Sequence, residues 1–121
     1  MSDIRKECKS KFMETLIQLT KRLKDFRDER DWAKFHNPKD LALAINIETS
    51  ELLELFLWKQ DKDVERHRVI EEVADIFAYL LFFADKYDID LNQALLNKLE
   101  LNKIKYPIEK SKGVSTKYNE L

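Results

Sequence analysis

Glycine occurs once in these 121 residues, at Gly113, and proline twice, at Pro38 and Pro107. A sheet protein built on tight turns needs more of both, so their scarcity points to an all-α fold. It also excludes a Walker-type phosphate loop, whose backbone requires several glycines. The single cysteine, Cys8, permits no internal disulfide, and the opening run Met1-Ser2-Asp3-Ile4-Arg5-Lys6 lacks an apolar signal core. A reducing, cytoplasmic setting is the expectation. Histidine is scarce too. His36 and His67 follow Ala33 and Val64 at a spacing of three, so the Glu-x-x-His motif of ferritin-like di-iron bundles is missing. No charge of one sign dominates: 22 basic and 23 acidic residues leave a formal net charge of −1, with no basic patch for a nucleic-acid partner. The densest apolar run, residues 76–84, falls far short of the roughly 20 residues a bilayer span needs, so no membrane partner is expected.

The residues that are present suit one domain over residues 1–121, with 44% hydrophobic residues for a core and 37% charged residues for a solvated surface. Cys8, Phe12, Leu16, Leu19, Leu23 and Phe26 recur at three- and four-residue steps, which predicts a first helix over residues 3–28 with its charged face in solvent. The link that follows holds Trp32, Phe35 and His36. Phe35 is expected to plug the end of the bundle, and Trp32 and His36 either do the same or contact a flat ligand. Asn37, Pro38 and Asp40 read as N-cap, N1 and N3 of a second helix continuing to about Trp58. Trp58 would then lie on the face of Glu51, followed by Lys59. Residues 60–63 connect to a third helix that Asp63, Arg66 and Arg68 open and that ends near Tyr87. Asp90 caps a fourth, from 91 to about 106, stopped by Pro107. On it Leu91, Leu95, Lys98 and Asn102 share a face, the last two either snorkelling or reaching into a polar site. Residues 107–121 read as an irregular tail. Residues 41–47 and 76–84 are too apolar all round for one four-helix subunit to bury, so an oligomer is expected.

Two helices carry acids in unusual company. The walk Leu41, Ile45, Glu48, Leu52, Leu55 is apolar except for Glu48, with Glu51 at i+3. The walk Val69, Glu72, Ile76, Tyr79, Phe83 is interrupted by Glu72, with Asp75 at i+3. A buried carboxylate costs several kcal/mol unless paired or metal-bound, so four converging acids imply a cation between them. All-oxygen ligation suits Mg²⁺, Mn²⁺ or Ca²⁺, with Mg²⁺ the first choice, rather than Zn²⁺. Mg²⁺ held by few protein oxygens completes its shell with water and substrate phosphates, which points to nucleotide chemistry.

Several stretches together carry a family resemblance: Glu29-Arg30-Asp31-Trp32 running into Phe35-His36, Glu48-Thr49-Ser50-Glu51-Leu52, Leu55-Phe56-Leu57-Trp58-Lys59, Glu71-Glu72-Val73-Ala74-Asp75 with Tyr79, and Lys103-Ile104-Lys105-Tyr106-Pro107 leading to Ser111-Lys112-Gly113 and Lys117-Tyr118. They resemble the all-α MazG-like nucleoside triphosphate pyrophosphohydrolases, in particular the dCTP pyrophosphatase branch. The resemblance covers nearly the whole chain and implies an oligomeric four-helix bundle, a homotetramer or a dimer. It implies a reaction from nucleoside triphosphate to monophosphate plus pyrophosphate, with Mg²⁺ ligated by Glu48, Glu51, Glu72 and Asp75 and Mn²⁺ as a substitute. Trp32, His36, Trp58 and Tyr79 would line the base and sugar pocket, with Lys59 beside Trp58, and Lys98, Asn102 and Tyr106 would handle phosphates and nearby polar groups. Either Glu51 or Glu48 takes the proton of the attacking water. Lysine stands at 103, 105 and 112, where relatives use arginine, a better bidentate phosphate partner. Two rival readings accompany this one: a non-catalytic helical interaction module, which leaves the four acids without a reason, and a nucleotide sensor without turnover.

Overall fold

The structure, a computed structural model, describes residues 13–121; Cys8, Phe12 and the first ten residues of the expected first helix lie outside them. Among the described residues there are five α-helices and no strand, so the fold is all-α. Contacts divide the chain between Tyr87 and Asp88 into two compact units.

The first unit holds α1 (Leu16–Glu29), α2 (Pro38–Glu54) and α3 (Arg66–Lys86), joined by short 3-10 turns at Ala33–Phe35 and Asp61–Asp63. α1 does not run unbroken through Met13. It starts at a capping box in which the Thr15 hydroxyl accepts from the Gln18 amide while the Gln18 side chain accepts from the Thr15 amide at 2.8 Å. α2 begins as its sequence dictates, the Asn37 side chain accepting from the Asp40 amide at 2.9 Å with Pro38 at N1. It ends at Glu54, earlier than expected, and turns carry the chain through Trp58.

α3 packs along α2 and over a shorter stretch against α1. The seam is made by the two apolar stripes: Leu41 is 1% exposed, Leu55, Leu81, Phe82 and Ala84 are buried, and Ile45, Leu52, Val69, Ile76 and Phe83 are half-buried. A Lys24–Asp85 ion pair at 3.4 Å also links α1 to α3. One charge of α1 departs from the solvated face expected of it. Arg27 is buried, its Nε donating to Asp28 at 2.8 Å and its guanidinium lying 5.8 Å from the centre of the Phe82 ring. Phe35 departs in the opposite sense, being 60% exposed beneath Lys34 rather than plugging the helix ends.

The second unit holds α4 (Leu91–Lys105), capped by the Asp90 carboxylate accepting from the Gln93 amide at 3.1 Å. The tail is less irregular than expected: a short α5 (Ile108–Ser111) and a 3-10 turn at Tyr118–Glu120 follow Pro107, and Gly113 takes the left-handed backbone between them. Among the described residues no helix is long and apolar enough to cross a membrane.

Leu41→Ala should cost about 2–5 kcal/mol of stability in denaturant titration, the range for emptying a sealed core site. Thr15→Ala should cost about 0.5–2 kcal/mol by removing the cap. A Leu41→Ala loss no larger than the Thr15→Ala loss would contradict the assignment of the α2–α3 seam as the core.

Candidate metal centre

The i, i+3 spacing on α2 and the register of α3 against it bring Glu48, Glu51 and Glu72 together. One carboxylate oxygen from each lies within 4.8 Å of the others, and all three residues are half-buried. Asp75 stands outside that trio and is exposed. Its charge still reaches the trio, because it helps to raise the carboxyl pKa of both Glu48 and Glu72.

The electrostatics are those of an anion cluster short of a partner. Burial first, then the adjacent Glu51 carboxylate and the charges of Asp75 and Glu72, push the Glu48 carboxyl up to about 7. Burial and the Glu51 and Asp75 carboxylates raise Glu72 as well. Oε2 of Glu48 and Oε2 of Glu72 are buried without a hydrogen-bond partner among the described residues. Buried polar atoms are ordinarily satisfied, and an unmatched one calls for an ion or water. Three oxygens of hard carboxylates with open lone pairs fit a hard divalent cation, so the residues present suit the metal implied by the donor set.

A second cluster adjoins the acids through Tyr79. Burial first, then the charges of Glu48, Asp75 and Glu51, raise the Tyr79 hydroxyl above its usual range. The Tyr79 ring also approaches His36, with centroids 6.4 Å apart, and Phe82, likewise at 6.4 Å; His36 and Phe82 meet edge-on at 4.7 Å. Burial first, then the positive charges of Arg27 and Lys86, lowers the His36 pKa, so the imidazole is neutral at pH 7. Its buried Nδ1 has no hydrogen-bond partner among the described residues.

The two tryptophans are not part of this cluster. Trp32 packs edge-on against Phe26 at 5.7 Å, with Arg30 3.7 Å above the Phe26 ring. Trp58 is not stacked over Glu51, because α2 has already ended. It is 100% exposed at φ 63°, a left-handed conformation that costs a bulky residue about 1–3 kcal/mol. Lys98, Asn102 and Tyr106 belong to the second unit. Lys98 is exposed, Asn102 half-buried, and Tyr106 meets Tyr118 edge-on at 6.1 Å. Sequence reasoning did not single out Arg27, whose burial beside His36 no periodicity signals. It read Arg68 only as a helix opener. Yet Arg68 lines a cleft of about 360 Å³ together with Glu51, Glu54, Leu55, Lys59 and Glu72.

The Glu48 displacement has a definite sign. Folded, Glu48 gives up its proton near pH 7; unfolded, near 4.5, so the folded chain holds the extra proton between those values. This contribution to the stability of the cation-free protein is complete below about pH 4.5 and is lost as the pH rises through 7. In a chelator, stability should fall by about 1–2 kcal/mol between pH 5.5 and 8, solvent screening allowed for. Glu48→Gln should flatten that dependence, and a divalent cation should restore stability at the upper pH. Stability that rises with pH in the chelator would contradict the clustering.

Comparison with known proteins gives the family of the chain. Residues 43–121, which include both acid pairs, match the model of the MazG-like family. The chain is 37% identical over 115 residues to dCTP pyrophosphatase 1 of Homo sapiens, covering 88% of this chain and 68% of that one, and 39% identical over the same length to dCTP pyrophosphatase 1 of Bos taurus. The crystal structure of a pyrophosphatase from Archaeoglobus fulgidus superposes with a TM-score of 0.71 at 39% identity, over 80% of this chain and 99% of that one. With its acid pairs inside the matched stretch and its relatives alike over most of their length, this chain belongs to the MazG-like family, in the branch of the dCTP pyrophosphatases.

Proposed function

We propose that this protein hydrolyses a deoxynucleoside triphosphate, dCTP or a modified dCTP, to the monophosphate plus pyrophosphate, and so clears the nucleotide pool of the cytoplasm. The observation that carries this reading is the convergence of Glu48, Glu51 and Glu72 with two buried oxygens left unpartnered. Similarity to the dCTP pyrophosphatases supports the reaction class.

Glu48, Glu51 and Glu72, with Asp75 beside them, would hold Mg²⁺, or Mn²⁺ in its place. A cation held there would supply charge neutralisation at the triphosphate and would make water more acidic. Glu51 or Glu48 accepts the proton of the attacking water at a carboxylate oxygen, and the bond that breaks joins the α and β phosphates. His36, neutral and with Nδ1 free, can donate or accept one hydrogen bond at a base edge. Tyr79, beside His36, would wall the base, Trp32 and Trp58 would supply stacking surfaces, and Lys59 would meet the phosphates.

The working form is a homotetramer or, failing that, a dimer. Support comes from a second apolar face on each long helix, Leu43 and Ile47 on α2 and Val73, Phe77 and Leu80 on α3, all 40% or more exposed within the single chain.

Release of dCMP and pyrophosphate from dCTP with Mg²⁺ is the direct test. Glu48→Ala and Asp75→Ala should each lower kcat by about 10²-fold or more while helix content is unchanged. Across dCTP, dUTP, dTTP, dATP and dGTP, kcat/KM should favour dCTP; equal values would refute the cytosine preference, and no turnover of any would refute the activity. His36→Ala should flatten base preference, whereas Trp58→Ala should weaken every substrate alike by roughly 1–3 kcal/mol, because stacking tolerates all bases.

A further inference from the structure

One charged side chain among the described residues is buried, that of Arg27, and stability does not explain it. Its hydrogen-bonding partner is the neighbouring Asp28, which accepts from Nε at 2.8 Å and is itself 56% exposed. A buried guanidinium beside a solvated carboxylate recovers little of its desolvation cost, and an unbranched apolar side chain of similar length serves such a site as well or better. The charge therefore serves something other than stability.

Two contacts show where Arg27 acts. Its backbone carbonyl accepts from the amides of Arg30 at 3.2 Å and Trp32 at 3.0 Å, which closes α1 and fixes the start of the link that carries His36. Its guanidinium lies 5.8 Å from the centre of the Phe82 ring on α3, and the same ring meets His36 edge-on at 4.7 Å. Phe82 is thus shared between a permanent cation and the imidazole. Burial of the imidazole is the larger influence on its proton, and two positive charges act in the same sense, Arg27 from α1 and Lys86 from the last turn of α3. The remaining polar neighbour on α3, Tyr79, is neutral. Asp28 and Asp85, the acids next in sequence to these two cations, pair with Arg27 and Lys24.

The proton count decides what a histidine can read. A neutral ring offers one acceptor nitrogen, whereas the imidazolium has two donors and no acceptor. Nδ1 of His36 is buried without a hydrogen-bond partner among the described residues, so that atom is open to a ligand. Cytosine differs from uracil and thymine at C4, where it carries an amine that donates and they carry a carbonyl that accepts. Of those two groups an imidazole kept from protonation can take the amine, and an imidazolium can take the carbonyl alone.

We propose that Arg27 is a positioning residue for base selection: packed on Phe82 and closing α1 onto the His36 link, it keeps His36 a hydrogen-bond acceptor, so that the site takes an aminopyrimidine in preference to a 4-oxopyrimidine. This deepens the pyrophosphohydrolase reading and rests on it. Arg27 acts through His36 and needs no contact with substrate.

The test is the dCTP-to-dUTP ratio of kcat/KM, measured on the full-length protein with Mg²⁺ at about pH 8 and about pH 6. Both substrates meet the same acids and the same cation, and neither base titrates in this range, so the ratio isolates the base. Arg27→Met keeps an unbranched side chain on Phe82 without the charge. Between those two conditions its ratio should fall about threefold further than that of the wild-type protein, and Arg27→Lys, which restores the charge, should track the wild type. The His36 titration followed by NMR should move to higher pH in Arg27→Met, while His67, the other histidine and an exposed one, stays in place as internal reference. Equal pH dependence of the ratio in all three proteins, equal losses for dCTP and dUTP, or an unmoved His36 titration would overturn the assignment. Should Arg27→Met lose helix content, Arg27→Gln replaces it with the same outcomes. Should the wild-type protein turn over no triphosphate, the hydrolase reading falls on that result alone. Calorimetric affinities for dCMP and dUMP then stand in for the kinetic ratio: a selective loss for dCMP in Arg27→Met at the lower pH upholds the role of Arg27, and equal losses refute it.

Discussion

Two carboxylate oxygens, Oε2 of Glu48 and Oε2 of Glu72, sit buried along the seam between α2 and α3 without a hydrogen-bond partner among the described residues. Everything around the site bears on that constraint. Mutual repulsion of Glu48, Glu51 and Glu72 opposes closure of the two helices, and burial adds to the cost. The apolar contacts of Leu41, Leu55, Leu81 and Phe82 hold the helices together regardless. A fold that spends core packing on holding anions together stores an affinity for cations, which a ligand of the right charge releases.

Placing the acids on two long helices rather than on loops fixes their separation through backbone hydrogen bonds and core contacts. The surrounding groups then divide by chemistry along α3. Arg68 lies on one side of Glu72 in a polar cleft, and Tyr79 on the other, against a neutral histidine and a phenylalanine. Arg27 extends this second cluster: burial of His36 first lowers its pKa, and the positive charge of Arg27, held against Phe82, lowers it further. A nucleotide has the same division between a polyanionic end and a flat, uncharged one.

Helical periodicity made much of this legible from the sequence. Glu48 and Glu72 stand out because each interrupts an otherwise apolar walk, and the caps at Asn37 and Asp90 announce their helices by residue type. What escaped has physical reasons. The stop after Glu54 carries no glycine or proline, and Leu55-Phe56-Leu57-Trp58 continues an apolar pattern a helix would accept, so the left-handed turn at Trp58 is written in no local preference. The capping box at Thr15 and Gln18 was visible as a spacing but lay within a longer apolar repeat that favoured continuity. Burial of Arg27 and exposure of Phe35 invert the usual preferences of their types, and tertiary contacts alone decide such inversions.

The central claim, that the unpartnered acids of α2 and α3 form a cation site, is tested most directly by anomalous diffraction from crystals of the protein grown with Mn²⁺. A strong peak within about 2.5 Å of carboxylate oxygens from Glu48, Glu51 and Glu72 is the expected result. A map with Mn²⁺ bound elsewhere and none at these three residues would contradict it.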